Sequence, residues 1–309
     1  MDTGSKATLL AFLDRIGLST EADALIARAP SKEDLCLLLR SFLLTVPFEN
    51  LGQHTHPAYG TDVPEVAAGK HMPSLEVHKS LKKVVYDRRG GFCFELNFVF
   101  AWLLRTLGYK VRLSMSAVIS PDGPVPGHLA ILVDGLGPQP LHVDPGFGDA
   151  PREPMPAVIG NTVTDSMIGD QYHFVTNEDP AAFGQTAEMA KRYGQMMMRS
   201  RKTGFSSSVM VDFVGLTETP PPTPERAPPE PVYLLNFEDD LAFDCKEFSD
   251  GIAGVLADNE KNPFSQKRMC ISGNATLECA HMPRPPRARV WLSSRVPPPA
   301  ILITARCVA

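Results

Sequence analysis

No apolar run in this chain approaches the ~18 residues that a membrane span needs, so no membrane association is expected. Its start, Met1-Asp2-Thr3-Gly4-Ser5-Lys6, leads into a short segment broken by Asp14 and Arg15. That segment lacks the long apolar core of a secretory signal. None of the six cysteines (Cys36, Cys93, Cys245, Cys270, Cys279, Cys307) forms a C-x-x-C pair. No tight Cys/His cluster has zinc spacing, and no metal is expected. Free thiols in a reducing, cytoplasmic setting are the expectation instead. Net positive charge is missing too: the formal charge is −5. That argues against a nucleic-acid partner and against an anionic membrane surface.

What is present is an ordinary globular composition over 309 residues, 43% hydrophobic and 21% charged, with length enough for a sizeable core. Most of the 29 prolines lie beyond Pro121, so the second half should be richer in loops.

Leu9, Phe12, Leu13 and Ile16 recur at the spacing of one helix face, with Gly17 as its stop. Leu35, Leu38, Leu39, Phe42, Leu43 and Val46 form a second face, with Ser31 as N-cap and Pro47 as terminator. Residues 52–73 read as a loop, and 74–85 as a third short helix in which Lys82 and Lys83 lie on a solvated face. A helix of about three turns follows, from Cys93 to the Gly108 stop. From Lys110 the period changes to two. Val111, Leu113 and Met115 alternate, and 128–134 and 141–144 read as paired antiparallel strands. Residues 172–175 and 195–198 extend this into a sheet or small barrel over 110–215. A proline-dense linker covers 219–231, with a strand at 233–237, a short helix at 248–256 and another strand at 266–271 beyond it. The tail from His281 carries five arginines and no acid, and reads as solvated.

The stretch Arg88-Arg89-Gly90-Gly91-Phe92-Cys93-Phe94-Glu95-Leu96-Asn97 organises the chemistry. Cys93 falls in the first turn of its helix, where unpaired N–H groups and the dipole favour a thiolate. A catalytic thiol also needs a base, and the base an orienting group. His128 opens a strand after Pro126-Gly127, and Asp144 ends the next one, so the two should meet at the same end of the hairpin. His142 lies two residues deeper. Lowering a thiol pKa by about 3 units requires roughly 4 kcal/mol. A helix start supplies about 0.3–2 kcal/mol, so an imidazolium at His128, held by Asp144, must supply most of the rest. Arg89 and Glu49 should form a buried ion pair tying the bundle to the cysteine loop, and Glu95 and Asn97 should hold the helix start.

These segments together resemble the arylamine N-acetyltransferases. The signature Arg-Gly-Gly-x-Cys-x-Glu-x-Asn stands at 89–97, Val-Pro-Phe-Glu-Asn-Leu at 46–51, a strand-opening His at 128, and Val-Asp-x-Gly-Phe-Gly at 143–148. The resemblance implies an α+β fold with a cysteine-protease-like core. Its parts would be a helical bundle with the catalytic Cys (1–105), an antiparallel β-barrel with the catalytic His and Asp (106–215) and an α/β lid after the linker (216–280); the Arg/Pro-rich tail (281–309) does not match the family. It implies a Cys93–His128–Asp144 triad and ping-pong chemistry: acetyl-CoA acetylates Cys93, and an aromatic amine or hydrazine then takes the acetyl group. Phe94 and Phe147 would line the acceptor pocket, and the Gly127 N–H would help hold the oxyanion. Arg89, Glu49 and Asn97 would be structural supports. The alternatives are an amide synthase or another acyl-CoA N-acyltransferase on the same fold, and a papain- or transglutaminase-like cysteine hydrolase. Position 145 departs from the family, being Pro where a small aliphatic residue is usual.

Overall fold

The structure is a computed structural model, and it describes residues 3–50, 74–120, 123–148, 151–166, 168–178, 184–202, 226–256 and 270–271. The expected loop at 52–73, most of the proline-dense linker and the arginine-rich tail lie outside the described residues.

The N-terminal helices form where the apolar periodicity placed them. Helix α1 (Thr3–Arg15) buries Leu9, Phe12 and Leu13 completely. It ends before Gly17, whose φ of +78° suits a residue without a Cβ. After the short α2 (Ala22–Ala27) comes α3 (Lys32–Thr45). The Ser31 side chain caps α3 by accepting from the Asp34 N–H at 3.1 Å. Helix α4 (Val77–Leu81) runs on into a π-helical turn over Lys82–Tyr86. Helix α5 (Cys93–Thr106) is buried on nearly every side, so it forms the centre of the bundle rather than a surface helix. Each of its fully buried Phe and Leu side chains contributes about 1.5–3 kcal/mol relative to exposure.

One expectation is corrected here. Lys83 does not lie on a solvated face: the π turn directs it inward, where its Nζ donates to Glu95 Oε2 at 2.8 Å and stands 3.6 Å from Glu49 Oε1. Arg89 reaches the same Glu49 oxygen at 2.9 Å, as expected. An extra residue per turn rotates the helix face, and the two buried carboxylates supply the partners that a buried ammonium requires.

The second layer is an eight-stranded antiparallel sheet. Its strands are β2 (Lys110–Ser120), β3 (Gly123–Asp134), β4 (Leu141–Val143), β5 (Met155–Pro156), β6 (Val163–Thr164), β7 (Gln171–Thr176), β8 (Gln195–Ser200) and β9 (Glu230–Leu235). They stand in the order β5-β4-β3-β2-β9-β8-β7-β6. A bridge between Ile159 and Phe174, with Gly160 N–H donating to Phe174 O at 3.1 Å, brings the two edges together into a nearly closed barrel. The barrel takes β9, from beyond residue 215, into its middle between β2 and β8. The segment read as a lid strand therefore contributes to the barrel core, through Tyr233 and Leu235.

Two short helices and a small ribbon complete the description. Helix α6 (Ala187–Arg192) is capped by Thr186, and α7 (Lys246–Leu256) packs against β3. Strand β1 (Phe48–Glu49) pairs with β10 (Cys270–Ile271). No helix among the described residues is long and apolar enough to cross a membrane.

Candidate functional site

Cys93 is the first residue of α5, at the junction of bundle and barrel. Its approach is set by glycines. A Cβ on Gly90 would lie 2.0 Å from Pro47 O, so only glycine lets the 88–92 loop seat against the end of α3. Glu95, three residues into the helix, accepts from the Phe92 N–H at 3.3 Å and so satisfies one donor at the helix start.

His128 does not open its strand; β3 begins at Gly123. A bulge lies there instead. Ser116 faces His128 and Ala117 faces Pro126, so Gly127 is the extra residue on β3. Bulges bend a strand and re-aim its groups. This one directs the Gly127 carbonyl at the cysteine, whose Sγ donates to it at 3.6 Å. It also puts the His128 ring on the barrel side, where Nε2 meets Asp144 Oδ2 at 2.6 Å. The histidine and aspartate therefore meet as the strand pairing predicted.

Asp144 is fully buried and held from three directions. Asn97 Nδ2 donates to its Oδ1 at 2.8 Å, while His128 and the Tyr233 hydroxyl, at 2.9 Å, share Oδ2. Burial, the largest influence, raises its pKa, but the charge and hydrogen bond of His128, His142 and the Asn97 bond together hold it below the usual value. Asn97 was expected to hold the helix start, but its side chain points to the barrel instead. It also donates to Leu129 O and accepts from the Gly146 N–H at 2.9 Å, so one amide ties α5, β3 and the 144–148 turn together. That turn fits closely: a Cβ on Gly146 would lie 2.6 Å from Cys93 O.

Two further members of this network are His142, which the sequence placed deeper in the hairpin, and Tyr233, which it did not single out. His142 Nε2 lies 2.7 Å from the Tyr233 hydroxyl, and its ring is buried among Phe174 and Tyr233. Burial lowers the His142 pKa to about 4, which outweighs the Asp144 charge, so the imidazole is neutral. Its Nδ1 has no hydrogen-bond partner among the described residues. Putting the one ring proton on Nε2 satisfies it through the Tyr233 oxygen and leaves Tyr233 to donate to Asp144. Burial, and then Asp144, push the Tyr233 phenol well above its ordinary value, so it stays a donor. A Tyr inside an otherwise apolar strand was the available signal, since a buried hydroxyl calls for a partner.

The thiol requires a correction. The helix start alone does not favour the thiolate. Burial pushes the Cys93 thiol up, Asp144 and Glu95 add to this, and the backbone N–H groups of Phe94 and Cys93 only partly oppose it. Cys93 is 4% exposed. In this environment the thiol is the resting form, and a proton acceptor is needed to generate the thiolate.

Of the remaining expected residues, Phe147 is half-buried with its ring 5.2 Å from His128 and 5.1 Å from Tyr233. Phe94 is fully buried in an aromatic cluster with Phe92, Phe98 and Phe248. Arg89 and Glu49 form their ion pair behind the cysteine loop.

The N-acetyltransferase family profile matches residues 33–215, more than half of the chain. The arylamine N-acetyltransferase of Mycobacterium tuberculosis is 33% identical over 155 residues, 48% of this chain and 48% of that protein, so the match spans about half the relative's length. The chicken (Gallus gallus) pineal gland isozyme NAT-10 is 30% identical over 251 residues, covering 77% of this chain and 70% of that protein. In fold, the chain matches the Mycobacterium marinum arylamine N-acetyltransferase in complex with CoA, with a TM-score of 0.57 at 20% identity, over 85% of this chain and 76% of that one. Sequence match and shared cysteine-protease-like architecture agree, and the chain belongs to the arylamine N-acetyltransferase family.

Proposed function

We propose that the protein transfers an acetyl group from acetyl-CoA to the nitrogen of an aromatic amine or hydrazine, by a ping-pong route through acetyl-Cys93. The observation that carries this is the 2.6 Å contact of His128 Nε2 with the buried Asp144 carboxylate, on the strand whose bulge touches the Cys93 thiol. With Nε2 committed to Asp144, Nδ1 is the nitrogen that takes the thiol proton. The sulfur attacks the thioester carbonyl, and the C–S bond to CoA breaks. The departing CoA thiolate takes the proton from His128. In the second half, His128 removes a proton as the amine attacks the acetyl-sulfur carbonyl, and returns it to Cys93. Asp144 stabilises the imidazolium in both halves.

Burial of the thiol fits transfer better than hydrolysis, because a closed site keeps water from the acyl-enzyme. Phe147 beside His128 offers the flat apolar wall that an arene needs. Cys36, Cys93 and Cys245 are free thiols, which fits a cytoplasmic enzyme.

Mass spectrometry after brief incubation with acetyl-CoA tests this, beside Cys93→Ala and His128→Ala. One acetyl group on the Cys93 peptide, absent in both variants and discharged by an added arylamine, is the expected result. Discharge by water as fast as by amine would move the reading to a hydrolase. No adduct would overturn it.

A further inference from the structure

We infer that His142 is a positioning residue for the transfer: from inside the barrel it holds the single hydroxyl proton of Tyr233 on Asp144, and so sets how firmly Asp144 grips the His128 imidazolium. The inference rests on the transferase reading and adds to it a residue that acts only through two others.

His142 stands where an apolar residue would serve the fold better. Its neighbours on β4, Leu141 and Val143, belong to the bundle-side core, and strand alternation turns His142 to the barrel interior. There its ring lies buried, 5.5 Å from Phe174 and 6.0 Å from Tyr233, opposite Met155 of β5. Its Nδ1 has no hydrogen-bond partner among the described residues. A buried polar atom left unmatched is a cost that leucine would not carry. What the imidazole gains is one bond, from Nε2 to the Tyr233 hydroxyl at 2.7 Å.

Tyr233 has one proton and two acceptors within reach, Asp144 Oδ2 at 2.9 Å and His142 Nε2 at 2.7 Å. The tautomer of His142 chooses between them. With its proton on Nε2, His142 donates to the phenol oxygen and the hydroxyl proton goes to Asp144. With its proton on Nδ1, His142 would accept the hydroxyl proton, Asp144 would lose a donor, and a buried N–H would stand unpaired. The first arrangement serves every donor. Donation into the phenol oxygen also polarises it and strengthens the next bond in the chain. Tyr233 and His128 share Oδ2, so a stronger phenol bond leaves less of that oxygen's charge to hold an imidazolium. Neutral His128 is the form that accepts the thiol proton.

His142 does this without carrying charge near neutral pH. The titratable groups around it are Asp144 on its own strand, His128 from β3, Tyr233 from β9 and Tyr172 from β7, while β5 brings only Met155. Burial outweighs the pull of Asp144 and keeps the imidazole neutral. Its influence on His128 therefore travels through Tyr233 rather than through space.

Single-turnover acylation of Cys93 by acetyl-CoA, read by mass spectrometry from about pH 5 to 8, tests this. The acid limb of the rate should move to higher pH by about 0.3–0.5 in His142→Leu and by about 1 in Tyr233→Phe, because a freer Asp144 holds the imidazolium more firmly. Adding His142→Leu to Tyr233→Phe should move it no further. An unmoved limb in folded His142→Leu, or an undiminished second shift in the double variant, overturns the inference. Nitrogen-15 NMR of histidine-labelled protein decides the matter without any substitution. His142 as the Nε2–H tautomer is the expected result, and the Nδ1–H tautomer overturns its role. An unsubstituted protein that takes no acetyl group at any pH overturns the transferase reading instead, and the tautomer is read independently of that outcome.

Discussion

His142 is 1% exposed inside the barrel, and burial lowers its pKa from 6.5 to about 4. Between those values the unfolded chain binds a proton that the folded protein does not. Stability therefore rises with pH through this window: the contribution is complete above the unfolded value of 6.5 and gone below about 4. At about 1.4 kcal/mol per unit the full swing is about 3 kcal/mol, with roughly 2 kcal/mol lost by about pH 5. Asp144 has the opposite kind of shift for an acid, held low, so its contribution persists through the window and is lost only below the ordinary carboxylate range. Glu95 is raised, chiefly by burial, and acts against the trend. Comparing the protein with His142→Leu cancels the Glu95 contribution, and the Asp144 contribution, held low chiefly by His128, still falls below the window. Near neutral pH the variant forfeits the bond from His142 to Tyr233, about 1 kcal/mol net. As the pH falls it should gain about 2 kcal/mol on the unsubstituted protein by about pH 5, closing that gap and ending about 1 kcal/mol the more stable of the two. Urea unfolding followed by fluorescence, in steps from pH 7.5 to 4.5, measures the difference directly. Parallel stability curves for the two proteins would refute the reasoning, since a buried neutral imidazole must titrate on unfolding.

Other perturbations act on the same framework. Lys83→Ala leaves the buried Glu95 and Glu49 without their ammonium, and should lower stability by about 3–5 kcal/mol in thermal or urea unfolding. Gly146→Ala forces a Cβ to within 2.6 Å of Cys93 O and 2.8 Å of Asn97 Cγ. The resulting shift of the nucleophile should slow acylation of Cys93 about a hundredfold, read by stopped-time mass spectrometry. Tyr233→Phe removes a donor from Asp144 and the acceptor of the His142 proton. It should cost about 1–3 kcal/mol in urea unfolding.

Some of this was legible because it is local. The N-cap at Ser31, the stop at Gly17 and the start of α5 at Cys93 depend on a few adjacent residues, and each stands where the pattern placed it. The hairpin of His128 and Asp144 was legible for the same reason, since a short connection leaves antiparallel strands little choice of partner. The bulge at Gly127 was not. One extra residue in a strand leaves the alternation on either side intact, and only the register with β2 reveals it. From sequence His142 reads only as two residues deeper in the hairpin, and that depth is what gives it Tyr233 as a partner, 91 residues away.

By itself the sequence singled out Cys93, His128 and Asp144 as the residues proposed for nucleophile, base and orienting group, together with the helix and hairpin that carry them. Residue type and spacing suffice when the groups lie in short, strongly patterned segments. Tertiary structure alone decided what surrounds them: β9 entering the barrel from beyond residue 215, Lys83 turned inward, the His142–Tyr233 contact, and α7 seated on Gly127. These are encounters between distant parts of the chain, selected by burial and by the need of every buried polar group for a partner. The same burial raises the Cys93 thiol that its helix position, read alone, would lower.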